Sequence, residues 1–300
     1  MNYLSDNKRC REYYALLRWG GNPICPHCNA VKPYLLKSGK YRCSSKTCKM
    51  DFSVVKGTIF EKSKIPLATW MGAVYLLSGH KKGISSLQLG RDLGVSPKTA
   101  WFLLHRIRHI MGDPDPEPLD ASFVEVAETW VGGKFGNMHG KKRKKFQDLG
   151  IDNKLPVMGL LERDGKARLT VIGEKSFKDV VRENVNTNAV LITDTHLSYQ
   201  GLSNEYSAHW TINHSQGEYK NGVIYTNTVE GFFSSLKRSI YGIYHSVSPK
   251  HLQRYCEETS FRYNTRKMTD KERFLSTMQM AEGHRLTYNS LIQKTIENEK

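Results

Sequence analysis

The 300-residue sequence predicts an α/β (α+β) protein: one mixed sheet covered by helices, behind two small N-terminal modules. Three features predict it. Four cysteines cluster between Cys25 and Cys48, two capped helical patterns meet at a glycine between Ser85 and Met111, and short β-rich runs beyond Asp120 form a meander before alternating with helices. A proline-rich acidic stretch, GDPDPEPLD, marks the boundary before the β-rich part. The expected divisions are an N-terminal segment with the cysteine module at 1–62, a helical module at 63–112, a linker at 113–120, a sheet domain at 121–266 and a helical tail at 267–300.

Composition narrows the partner. With 45 Lys and Arg against 29 Asp and Glu, the formal charge is +16 and the pI about 9.5, so the surface attracts a polyanion, and nucleic acid leads. A hydrophobic content of 39% is ordinary for a chain that buries real cores. No basic-then-apolar signal opens the chain, and the longest apolar-rich run, Leu67 to Leu77, falls short of the roughly 20 residues a bilayer needs, so a cytoplasmic protein with no membrane partner is expected. Six cysteines in a reducing compartment point to metal rather than disulfides.

Cys25 with Cys28 forms a C-x2-C pair and Cys43 with Cys48 a C-x4-C pair, so two knuckle turns each offer two thiolates to one tetrahedral Zn²⁺ across a hairpin. Four sulfurs close such a site and supply folding energy to a module too small for its own core, which makes the role structural. His27 lies inside the first knuckle as a further potential ligand, and Cys10 and Cys256 stand alone as packing residues. From Ser63 the pattern turns helical, with Pro66 in the first turn and Leu67, Trp70, Val74 and Leu77 at helical spacing up to Gly79. Ser85 then caps a short helix ending near Gly94, and Ser96 with Pro97 opens a second carrying Ala100, Leu103, Leu104 and Ile107 inward. This is a helix-turn-helix pattern. Its expected outward residues, Lys98, Thr99, His105, Arg106 and Arg108, suit phosphates and base edges in a major groove.

Beyond the linker, a strand at 124–131 precedes the basic segment HGKKRKKFQD. Its Lys141, Lys142, Arg143, Lys144 and Lys145 are a solvated loop by default and, beside this strand, are expected to grip phosphates. Strands follow near Pro156–Glu162 and Ala167–Ile172, a helix near Phe177–Asn184, a strand ending at Asp194, another near His209–Ile212, and amphipathic helices at Thr228–Ile240 and Pro249–Tyr263. Asp194 closes a buried apolar strand, where a carboxylate is held at the sheet's carboxyl edge. Glu230 sits on a helix whose Val229, Phe232, Phe233 and Leu236 turn inward, and Lys237 lies about two turns further along the same side. Two carboxylates and a lysine from separate elements suit two-metal phosphoryl transfer, in which hard oxygen ligands hold Mg²⁺. A third acid belongs on the strand from Val124, yet VEVAETWVGGK carries Ala127 between Glu125 and Glu128. Side chains alternate along a strand, so Glu128 points to the opposite face and Glu125 lies one pleat repeat away, about 6–7 Å.

Together, NPICPHCNA, YRCSSKTCKMDFSVVKGTIFE, VEVAETWVGGK, INHSQGEY and TNTVEGFFSSLKRSIYGIYHSVSPKHLQRYCEETSFRYN resemble the ISXO-two-like insertion-sequence transposases, insertion-sequence family fifteen-ninety-five, from about Asn22 to Arg266. The resemblance implies a zinc ribbon and a helix-turn-helix ahead of a ribonuclease-H-like DDE catalytic core that cuts element ends and joins them to target DNA. It implies that Asp194 is the second catalytic Asp and Glu230 the acid two turns before the family's Lys, here Lys237. Some members have Asn as the third residue, so Asn227 is a rival to Glu230. The family's first Asp belongs in V-E-V-D-E-T, at position 127, where this chain has Ala127.

A methyl group holds no cation. The expectation is a polypeptide that binds double-stranded DNA at terminal inverted repeats and target, carries structural Zn²⁺, and is defective in the chemistry that two Mg²⁺ or Mn²⁺ ions support at an intact site. A substitution made to trap an uncleaved complex is the favoured origin of Ala127, with natural decay its competitor. Synapsis of two ends implies a homodimer or larger assembly on DNA, in a prokaryotic, nucleoid-associated setting. His214 and Glu218 of INHSQGEY either line the site or hold a loop. Two further functions stay open: a non-catalytic DNA-binding protein or repressor derived from such an enzyme, and a structure-selective nuclease.

Overall fold

The computed structural model describes residues 6–133, 136, 138–148 and 154–292. The chain forms two compact units, one of residues up to Met111 together with those from Met268 onward, the other Gly112–Lys267. The first division falls at the acidic linker. The tail, expected as a separate segment, instead belongs to the first unit.

In the first unit, α1 (Asn7–Trp19) starts at Asp6, whose carboxylate accepts from the Lys8 and Arg9 amides, and ends at Gly20 in the left-handed conformation. Three two-residue strands, β1 (Tyr34–Leu35), β2 (Tyr41–Arg42) and β3 (Asp51–Phe52), pair antiparallel in that order. Trp19, Tyr41 and Phe52 pack with Cys25 and Cys43 into a small core. The helix α2 (Leu67–Gly79) is apolar around most of its circumference, so it is buried, with Trp70, Met71, Val74 and Leu77 all inside. Next, α3 (Ser86–Leu93) and α4 (Pro97–Met111) form the expected pair. Ser85 Oγ accepts the Gln88 amide at 3.1 Å, Gly94 turns the chain at φ +65°, and Ser96 Oγ accepts the Thr99 amide at 3.2 Å.

The second unit contains β4 (Phe123–Gly132), α5 (Gly140–Asp148), β5 (Lys154–Glu162), β6 (Ala167–Val171), α6 (Phe177–Asn184), β7 (Val190–Asp194), β8 (Ala208–Ile212), α7 (Asn227–Ser239) and α8 (Leu252–Asn264). The strands order as β6-β5-β4-β7-β8, with β5 antiparallel to its neighbours β4 and β6, and β7 and β8 parallel to β4. Alternation along β4 splits its side chains between two cores. Val124 and Val126 pack with Val180, Val181 and Tyr199, while Ala127 and Val131 pack with Val229, Phe233 and Leu236 of α7. Gly159, paired with Ala127 in β5, lets α7 come close: a Cβ there would lie 2.7 Å from Val229 Cγ2 and 2.8 Å from Phe233. Beyond α7 the chain makes a π-turn at Ile240–Tyr244.

The basic segment expected as a loop is the helix α5, because Lys and Arg are good helix formers and no breaker interrupts the run. Lys141, Arg143 and Lys144 are exposed on it; the side chains of Lys142 and Lys145 lie outside the described residues.

The tail opens at Thr269, whose capping box with Glu272 starts α9 (Asp270–Gln279), and ends in α10 (Tyr288–Ile292). Phe274 meets Tyr75 of α2 and Tyr288 meets Phe102 of α4. The structure corrects one expectation about α4. His105, Arg106 and Arg108, expected to face outward, are 0%, 5% and 1% exposed. Trp101 packs edge-on to His105 at 4.3 Å, and the Arg106 guanidinium lies over Trp70 at 5.0 Å and donates to the Glu61 carbonyl at 3.3 Å. Burial, with the Arg285 charge nearby, pushes the Arg106 pKa down to about 10, which keeps it charged at neutral pH. The inward face of α4 matches expectation, but the opposite face is covered as well, by Trp70 of α2 at Arg106 and by Tyr288 of α10 at Phe102, a packing that helical periodicity does not encode. Lys98 remains exposed, 5.3 Å from the Tyr288 ring, and the Thr99 hydroxyl lies 2.9 Å from Ser96 Oγ. No helix among the described residues is long and apolar enough to cross a membrane.

Candidate active site

In-register parallel pairing joins the first residues of β4 to β7. Glu125 pairs with Ile192, and Ala127 and Asp194 each lie two residues further along on adjacent strands. The helix α7 crosses the same face and adds its first turn. As a result Ala127, Asp194, Glu230 and Lys237, remote in the chain, line one cavity of about 380 Å³ together with Glu128, His214, Thr226 and Ser234. Asn227, the rival to Glu230, is exposed at the first position of α7 and does not line it.

Of the three acids that line this cavity, Asp194 and Glu230 are held differently. Asp194 accepts from the Thr195 amide at 2.5 Å and the Thr195 hydroxyl at 3.2 Å, while the Thr193 hydroxyl donates to the Asp194 carbonyl at 2.7 Å. Behind that hydroxyl, His209 Nε2 lies 2.8 Å away, and burial lowers the His209 pKa. Glu230 is half exposed, with His214 Nε2 at 3.1 Å and the Thr226 hydroxyl at 3.4 Å from one carboxylate oxygen. His214 also sits 2.8 Å from Thr226 Oγ1. Lys237 lies exposed at the rim two turns from Glu230.

The neighbours of Ala127 on its own strand are committed elsewhere. Glu128 accepts the Tyr199 hydroxyl, and Tyr199 belongs to the core on the opposite face. Burial, then the Glu128 and Asp194 charges, raises the Tyr199 pKa far above its ordinary value, so it stays a hydrogen-bond donor. Glu125 shares the Ala127 face but is wholly buried against α7 and Arg163. Of the pair left open by sequence, His214 lines the cavity, whereas Glu218 closes its own loop by accepting the Asn213 amide at 3.2 Å. Thr226, Tyr199 and Arg163 were not singled out by sequence; only Thr226, just ahead of a helix, carried a local signal.

The second candidate centre is the cysteine cluster of the first unit. One ligand atom from each of Cys25, Cys28, Cys43 and Cys48 lies within 4.8 Å of all the others, the donor set of a closed tetrahedral zinc site. Asn29 and Lys49, each following a cysteine, adopt φ +60° and +47° and tighten the two knuckles. Burial opposes ionisation of Cys25, but the His27 and Cys28 amides and the adjacent thiols outweigh it and lower its pKa. His27 is exposed and outside the cluster, as four sulfurs suffice.

Residues 119–264 match the model of the ISXO2-like transposase domain, and residues 5–51 that of the transposase zinc-ribbon domain. The chain is 25% identical over 295 residues to an uncharacterized protein in transposable element ISH50 of Halobacterium salinarum, covering 92% of this chain and 97% of that one. It is 28% identical over 85 residues to an uncharacterized transposase-like protein of Haemophilus influenzae, covering 28% of this chain and 68% of the relative. No solved structure matches.

Proposed function

The chain belongs to the ISXO2-like transposase family, and from that premise we propose that it binds double-stranded DNA at the ends of an element and at a target, through a sheet domain designed for Mg²⁺-dependent end cleavage and strand transfer. One observation carries the proposal: positions 127, 194, 230 and 237 share a single polar cavity. The β6-β5-β4-β7-β8 order supports a ribonuclease-H-like core. The capped α3–α4 pair supports a helix-turn-helix that meets DNA with the N-terminal half of α4, around Lys98 and Thr99, since the buried His105, Arg106 and Arg108 cannot. The exposed Lys141, Arg143 and Lys144 add a phosphate grip.

Asp194 and Glu230 offer hard oxygen donors to this cavity and fit a divalent cation, Mg²⁺ or Mn²⁺. Bound there, such ions stabilise the attacking and leaving oxygens of an in-line displacement at phosphorus. The chain's own residues do the rest: His214 and Thr226 orient Glu230, Thr195 orients Asp194, and Lys237 neutralises phosphate charge. Ala127 leaves position 127 without a donor and Glu128 is engaged by the Tyr199 hydroxyl, so the polypeptide as written binds DNA and is severely defective in cleavage. That same alanine favours a second function, a transposase-derived DNA-binding protein or repressor. Intact inverted repeats around a related gene encoding Asp at 127 would favour the enzyme; their absence, the repressor. Footprinting tests the DNA-binding half. The chain as written should protect terminal inverted repeats in preference to unrelated duplex, and equal protection of both would refute it.

A further inference from the structure

Glu125 is fully buried, on the face of β4 that carries Ala127, and the proposed chemistry does not use it. A buried carboxylate is costly unless its oxygens are bonded, and this one is saturated. It accepts the backbone amides of Thr228 at 3.1 Å and Val229 at 3.0 Å, the Thr228 hydroxyl at 3.1 Å and Arg163 Nε at 3.0 Å. Thr228 and Val229 open α7, where amides have no partner within the helix and the helix dipole favours negative charge. Thr226, at the capping position, makes no cap bond; its hydroxyl is turned toward His214 and Glu230. The helix that bears Glu230 is therefore capped by a carboxylate from β4, two residues before position 127. Arg163 extends the tie. It donates to the Val223 carbonyl at 2.6 Å and the Tyr225 carbonyl at 3.0 Å, with its guanidinium 3.7 Å from the Tyr225 ring centre.

We propose that Glu125 and Arg163 are positioning residues: a clamp that fixes the first turn of α7, and with it Glu230, against position 127 of the same strand that supplies the clamp. The inference rests on the transposase chemistry proposed above. It divides the labour of the two strand positions, 125 holding the helix and 127 facing the cation site. It also gives the physical reason why Glu125 does not replace the missing acid: turning it toward a cation would break four hydrogen bonds and uncap α7.

The test compares the Ala127→Asp chain with the same chain carrying Glu125→Gln, which keeps the shape but turns an amide NH₂ toward at least one donor. The half-saturating Mg²⁺ concentration for nicking an element end should rise about tenfold or more, the range typical for residues that orient metal ligands. Affinity for the DNA should stay unchanged, and amide exchange at Thr228 and Val229 should accelerate. Arg163→Lys, which keeps the charge but not the fork, should move the same readouts less, and it decides the matter if Glu125→Gln does not fold. Unchanged Mg²⁺ dependence and exchange, with the Ala127→Asp chain active, would overturn the clamp. Absence of nicking by the Ala127→Asp chain itself would strike the transposase chemistry instead; exchange at Thr228 and Val229 then judges the clamp alone, accelerated amides sustaining it and unchanged amides overturning it.

Discussion

The cysteine cluster draws all its ligand atoms from one short stretch, Cys25 to Cys48, whereas the carboxylate cavity draws its residues from β4, β7 and α7, separated by most of a domain. The first is a complete donor set for one cation; the second has a methyl group at Ala127, while Thr195, His214 and Thr226 hold Asp194 and Glu230. The difference teaches that a site's scaffold and its donors are separable. If position 127 supplies a ligand as proposed, its loss would leave the hydrogen bonds that hold Asp194 and Glu230 in place, while loss of one thiolate from the cluster would remove part of what folds the module.

The largest effect is expected where donor and scaffold coincide. Cys43→Ser should release zinc and cost the ribbon its packing around Trp19, since structural zinc contributes on the order of 10 kcal/mol in small modules. Zinc analysis with near-UV circular dichroism checks this, and a variant with full zinc and an unchanged spectrum would break the contrast between the two centres.

The cluster was legible in sequence because two knuckles encode it locally; the strand limits around Asp194 and the capped α3–α4 pair were legible for the same reason, as their signals are caps and alternation. What escaped depended on long-range packing. The burial of Arg106 depends on Trp70 and the Glu61 carbonyl, remote in the chain, and the roles of Arg163 and Tyr199 exist only once β4, α7 and the opposite core are assembled. The Glu125 case lies between. Alternation placed it correctly beside Ala127, but only the fold shows that its carboxylate is already consumed.

A smaller effect concerns how the cavity's unit meets DNA. Neutralising Lys141, Arg143 and Lys144 should flatten the dependence of binding on salt by about 0.9 in the log–log slope for each duplex phosphate that the protein no longer neutralises. Titrations at several salt concentrations measure it, and an unchanged slope would remove α5 from the interface.

The smallest sharpens the account of Asp194. His209 has its pKa lowered by burial, so the stability it contributes is fully present above its ordinary value of 6.5 and is lost as pH falls through its lowered folded value. Being only partly buried, it should matter by about a degree in Tm. His209→Gln should make the fall of Tm between pH 7 and pH 5 shallower, and an identical fall in both proteins would contradict that burial effect.

Ala127 borders the open cavity, so an aspartate there has room to enter it. Mg²⁺-dependent nicking of an element end, compared between the chain as written and Ala127→Asp, is the most direct test. Nicking should appear with the aspartate and rise by about a thousandfold, as recovery of several kcal/mol of cation-borne stabilisation requires. Equal activity in the two proteins would contradict it.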